Sequence, residues 1–268
     1  MLKKCLKYDL KSIFTFWWIG ALTTIGLSLI ASLSARQFFA TISEETDAFP
    51  WWAFICMASF FVGIAYIILI SILVYVRFYK QFFTDEAYLT FTLPVKRSTH
   101  LMSKVVSGTV FTAGTGLLVI LSMVFIFIGI PGFTDMFVFY GITFDFTNLP
   151  LLILYGVEIL VLFILSSSLG LQIMYLCITL AHMITRKHTI LVTIGLMYGY
   201  EFVMQFFISI GMILGSLWVS AADSAFSNAF SNPAVAMILL FFCALFATLN
   251  VLVHFITLGC LERKLNLS

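Results

Sequence analysis

The chain has 268 residues, of which 62% are hydrophobic and only 10% charged, and its net charge is +2. A water-soluble domain needs far more charge to cover its surface, so a soluble globular protein is excluded. No nucleic-acid partner is expected.

The first dozen residues place Leu2, Leu6, Leu10 and Ile13 at helical spacing, with Lys3, Lys7 and Lys11 on another face. This is the pattern of a helix at a membrane interface, its lysines toward anionic headgroups. No small-residue cleavage site follows, so the first apolar run reads as a retained anchor. Hydropathy then predicts six spans near 14–35, 51–76, 105–130, 149–184, 189–219 and 233–260. Each reaches the roughly 20 residues that a hydrocarbon core of about 30 Å demands. Pro50, Pro150 and Pro233 stand where the second, fourth and sixth spans begin, Pro131 closes the third, and Pro94 lies between the second and third. Proline suits a first turn because its missing N–H has no partner there. The expected fold is all-α: a single polytopic membrane domain, residues 1–268, with an N-terminal interfacial helix over 1–12.

Thirteen of the fourteen Lys and Arg fall on one side of this layout, Arg36 being the exception. Glu44, Glu45, Asp47, Asp135, Asp145 and Asp223 fall on the other. By the positive-inside rule both termini are cytoplasmic, and a cell-membrane location is expected. The outer loop at 131–148 is crowded with Phe and Tyr, as an interfacial belt or a gate for amphipathic cargo would be. The polar loop at 220–232 has the make-up of a short re-entrant element.

The longest inner loop, residues 77–104, has an apolar middle. Thr84 can cap a helix, Asp85 and Glu86 suit its positive end, and Pro94 stops it. Tyr88, Leu89, Phe91 and Leu93 then lie outside the membrane. Such residues want a partner surface or the lipid interface, and the residues alone do not choose.

Within the spans, Glu158 and Glu201 each cost a few kcal/mol to bury, so each needs a partner, a proton or water. Tyr198 and Gln205 share the face of Glu201. The four residues either line a translocation path or dimer seam, or fix helix packing. Gly195/Gly199 and Gly211/Gly215 form two G-x-x-x-G pairs that permit close helix approach. The five cysteines show no C-x-x-C or Cys/His spacing, which points to free thiols and no metal site. His182 and His254 read as interface residues.

The run FYKQFFTDEAYLTFTLPV at residues 78–95, followed by Ser103-Lys104, resembles the first cytoplasmic loop of permease subunits of ABC-2 type bacterial transporters. A second stretch, residues 170–187 with Tyr175 and Ala181-His182, resembles the end of that family's fourth span and its inner turn. Ala87 departs from the glycine common in the family, and Ala181-His182 departs from its glycine–glutamine pair. The resemblance implies that residues 77–104 hold a cytoplasmic coupling helix, with Thr84, Asp85, Glu86, Tyr88, Leu89 and Phe91 gripping a separate ABC ATPase subunit, present in two copies. It implies a second permease subunit, most simply a homodimer. It also implies ATP and Mg on the partner, no cofactor on this chain, and an amphipathic cargo: a peptide, a drug or a lipid. No G-x-x-x-x-G-K-[ST] occurs in the 268 residues, so hydrolysis by a phosphate loop is not expected of this chain. Nor does H-E-x-x-H or a comparable catalytic set occur, and an enzyme is not expected. The rival readings are a secondary transporter or channel using Glu158 and Glu201, and a non-transporting immunity or sensor protein.

Overall fold

A computed structural model describes residues 2–42, 51–84, 87, 97–128, 149–185, 187–221 and 233–264. They form six α-helices: α1 Leu2–Ile42, α2 Trp51–Phe83, α3 Arg97–Ile128, α4 Leu149–Ile184, α5 Thr189–Ala221 and α6 Pro233–Lys264. All six are long and apolar enough to cross a membrane. Pro150 and Pro233 occupy first turns and Pro50 immediately precedes α2, as the hydropathy reading expects. The helix expected over the first dozen residues is present and runs without a break into the first span, since no glycine or proline intervenes before Gly20. The aromatic loop at 131–148 and most of the polar loop at 220–232 lie outside the described residues.

Two compact units make up the chain: Met1–Phe78 with Met102–Thr143, and Tyr79–Leu101 with Phe144–Ser268.

In the first unit, α1, α2 and α3 meet through small and hydroxylated side chains. On α1 the buried stripe is Ala21, Thr24, Ser28, Ala31, Ser34 and Ala35. In lipid there is little hydrophobic drive between helices, so close approach through small residues supplies the contact. The serines and threonines satisfy their hydroxyls on their own helix: Thr24 donates to the Gly20 carbonyl, Ser28 to Ile25 and Ser34 to Ala31, at 2.8–3.0 Å. Larger groups bridge the helices. The Trp17 indole N–H donates to Thr115 Oγ1 at 3.0 Å, and the Tyr66 hydroxyl donates to the Trp17 carbonyl at 2.7 Å. Phe16, Leu33 and Phe61 are exposed, as residues facing lipid tails would be.

In the second unit, α4 packs on α6 and on α5. The α4–α6 pair is parallel and in register. Cys243 Sγ donates to the Glu158 carbonyl at 3.7 Å, and seven residues on along both helices Asn250 Nδ2 donates to the Leu165 carbonyl at 3.0 Å. A seven-residue repeat shared by two parallel helices is the geometry of a left-handed coiled-coil seam. α5 touches its neighbours along the stripe Val192, Leu196, Tyr200 and Met204, and most of its remaining described side chains are exposed.

Candidate functional site

The second span expected from hydropathy ends at residue 76, yet α2 continues to Phe83. Lys80 and Gln81 are good helix formers, and a helix outside the hydrocarbon needs no apolar run. The Thr84 hydroxyl donates back to the Lys80 carbonyl. It therefore closes α2, where the sequence reading has it capping the next element. A new turn does start at this point, because the Ala87 amide donates to the Thr84 carbonyl at 2.8 Å. Asp85, Glu86, Tyr88, Leu89 and Phe91 lie outside the described residues.

The C-terminal end of α2, from Tyr79 on, belongs to the second unit. Phe82 is buried, and the Phe83 ring lies against the His182 imidazole with centroids 4.6 Å apart. On α4, Tyr175 and Ala181 are buried near that contact in sequence. The two stretches singled out in the sequence, 78–95 and 170–187, thus touch.

In the first unit the structure assembles a charge cluster that the sequence reading missed. Asp9 of α1 accepts a hydrogen bond from Ser103 Oγ at 2.8 Å and pairs with Lys104 Nζ, both on α3. Arg77 of α2 stands 3.6 Å from the same carboxylate. The Asp9 and Lys104 side chains are only 9% and 7% exposed, against 22% for Arg77. Three helices are tied at one end through a single carboxylate. Two cations face it, so the cluster carries one excess positive charge.

Glu158 is buried on the α4–α6 seam, and its Oε2 finds no hydrogen-bond partner among the described residues. Almost four turns further along α4, Gln172 Nε2 donates to Asn250 Oδ1 at 2.8 Å, while Asn250 Nδ2 donates to the Leu165 and Phe246 carbonyls. Gln172 and Asn250 therefore hold the seam in register, the role that the sequence reading weighed for Glu158. Asn250→Leu removes the acceptor for Gln172 and a donor that crosses the seam. Interhelical hydrogen bonds in membranes contribute about 0.6 kcal/mol on average and about 1.7 at most. A loss of roughly 1–2 kcal/mol is expected in a reversible SDS titration, because the Gln172 amide is left with only its 3.3 Å bond to Ser168 Oγ. Asn250→Leu with Gln172→Leu should regain part of it.

Glu201, Tyr198 and Gln205 are exposed on α5. They are not brought together with Glu158 by any described contact. Among the described residues no three His, Cys, Asp or Glu side chains are gathered as metal ligands.

These features define an all-α, multi-pass membrane protein with a polar tie at the start of its first helix and an aromatic contact at the end of its second. No family model matches the chain, and neither a curated protein nor a solved structure matches it.

Proposed function

We propose that this chain is the permease subunit of a two-component ATP-driven exporter in the cell membrane, with both termini in the cytoplasm. The observation that supports this reading best is the contact between Phe83 and His182. It joins the foot of the inner loop to the foot of α4, so a push on the loop at 84–96 has a rigid aromatic route into a membrane helix. The turn started by Thr84 and Ala87 adds to it. Two copies of an ABC ATPase would grip Asp85, Glu86, Tyr88, Leu89 and Phe91 and supply ATP and Mg. A second copy of the chain would complete the path. The exposed face of Glu201, Tyr198 and Gln205 fits that role, because a carboxylate facing lipid at mid-span is costly and a second subunit or an aqueous path removes the cost. The cargo would be amphipathic: a peptide, a drug or a lipid.

A second reading, a proton- or ion-coupled carrier, draws on the buried Glu158 Oε2, which has no hydrogen-bond partner among the described residues. One experiment separates the two. The exporter reading expects a soluble ATPase with a phosphate-loop motif to co-purify with the full chain in mild detergent. Reversing Asp85 and Glu86 to lysine should cut recovery by about tenfold or more, since like charges placed in an interface cost several kcal/mol. A chain that purifies alone and drives ion flux in liposomes would refute the exporter and favour the carrier.

A further inference from the structure

A groove of about 420 Å³ lies between α1 and α3, lined by Leu10, Phe14, Trp17, Val110, Phe111 and Gly114, with Lys11 on its lining as the one charged residue. The size is that of a small-molecule site. Its wall is held firm. The Trp17 indole is pinned by Thr115, and its carbonyl receives the Tyr66 hydroxyl. Gly114 brings the α3 backbone close beneath that indole, where even an added Cβ would only reach ordinary contact at 3.5 Å. A site fixed before binding spares the ligand the cost of ordering it.

Charge and depth decide what fits. Lys3, Lys7 and Lys11 are exposed at successive four-residue steps on α1, and this stripe continues into Phe14 and Trp18 with no acidic residue on it. From Lys11 to Trp17 is about 9 Å along the helix axis, a little over half of one leaflet of a core roughly 30 Å thick. A ligand seated here has an anionic group at the lysines and a hydrocarbon chain descending past Val110 to Trp17. A cationic or zwitterionic amphiphile meets the same apolar wall but gains nothing from the lysines.

We propose that this groove binds one anionic phospholipid from the leaflet at the N-terminal end of α1. The headgroup phosphate sits on Lys11 with Lys7 behind it, and the upper half of one acyl chain lies against Trp17, Val110 and Gly114. The site is independent of any ATPase and stands apart from the exporter reading.

The test uses the full chain in phosphatidylcholine nanodiscs with Trp18, Trp51, Trp52 and Trp218 changed to Phe, so that Trp17 alone reports. Phosphatidylglycerol and phosphatidylcholine, each brominated in the upper part of the chain, are titrated in. Brominated phosphatidylglycerol should reach half-quenching at a several-fold lower mole fraction. A lysine near an anionic surface is worth roughly fivefold in affinity, so Lys7→Gln with Lys11→Gln should bring the two lipids together. Both lysines are exposed and their loss should leave the fold intact. Val110→Phe, at a residue 53% exposed, fills the groove and should remove the preference by a different route. Equal quenching by the two lipids, marking ordinary boundary contact, overturns the proposal. So does a preference that survives the double lysine variant, or a Trp17 that neither lipid reaches because another occupant fills the groove.

Discussion

Asp9→Ala should cost about 3–5 kcal/mol of stability, the usual loss when one member of a buried ion pair is removed and the other stays charged. Lys104 and Arg77 would then face each other across the vacated position, with Ser103 stripped of its acceptor. In thermal unfolding of the full chain in mild detergent this corresponds to a fall on the order of 10 °C. Asp9→Asn should fall between, since the amide oxygen still accepts from Ser103 while the charge on Lys104 goes unmatched. Arg77→Ala should lose about 1 kcal/mol or less, because Arg77 sits 3.6 Å away and is the most exposed of the three. The control is Asp9→Ala with Lys104→Met. Replacing a whole buried pair by apolar groups is often neutral, so this variant should recover most of the loss. Added salt should change little, since buried pairs are weakly screened. An unchanged Asp9→Ala protein would mean that Lys104 snorkels to the headgroups and the tie contributes nothing.

That cluster marks the limit of what the residues alone disclose. The six helices were legible because a span has a physical minimum length and because proline can stand only where no N–H is needed. Pro50, Pro150 and Pro233 therefore bracket α2, α4 and α6 correctly. The helix ends that flank residues 84–96 were less legible. Hydropathy stops at residue 76 and resumes at residue 105, yet α2 runs on to Phe83 and α3 starts at Arg97, because backbone hydrogen bonds continue through polar residues. Arg77 entered the sequence argument as a member of a charge tally that sets orientation, and Lys104 through that tally and a motif resemblance. Such a tally is blind to which cation meets which carboxylate. The available hint was Asp9, the one acid among the N-terminal lysines. On the α4–α6 seam the hint was a spacing of seven: Glu158, Leu165 and Gln172 on one helix, Cys243 and Asn250 on the other. Glu158 drew notice for its charge, while Gln172 and Asn250, which make the bond, are neutral. The face of Glu201, Tyr198 and Gln205 is a separate case. A single chain does not encode in any local pattern what covers its outward faces.

Gly20→Ala sets two local effects against each other, and the geometry decides the sign. In a helix interior, alanine is favoured over glycine by about 0.8–1 kcal/mol. At Gly20, however, an added Cβ would lie 2.1 Å from Tyr66 Cε2 and 2.6 Å from Cδ2. The ring has nowhere to go. Tyr66 is 6% exposed, and its hydroxyl is bonded to the Trp17 carbonyl at 2.7 Å. Forcing a methyl into a packed core costs about 1–3 kcal/mol, occasionally more, and a contact this short belongs at the upper end. The expected net loss is roughly 2 kcal/mol, read as a lower unfolding midpoint in SDS titration. Gly26, six residues along the same helix, has open space around its missing Cβ. Gly26→Ala should therefore be neutral or gain up to about 1 kcal/mol. Tyr66→Ala completes a double-mutant cycle. With the ring gone, Gly20→Ala should cease to cost anything and show the helix preference alone, a coupling of about 3 kcal/mol between the two sites by the same figures. Should Gly20→Ala and Gly26→Ala behave alike, α1 and α2 do not approach through Gly20, and the small-residue stripe on α1 is lipid-facing.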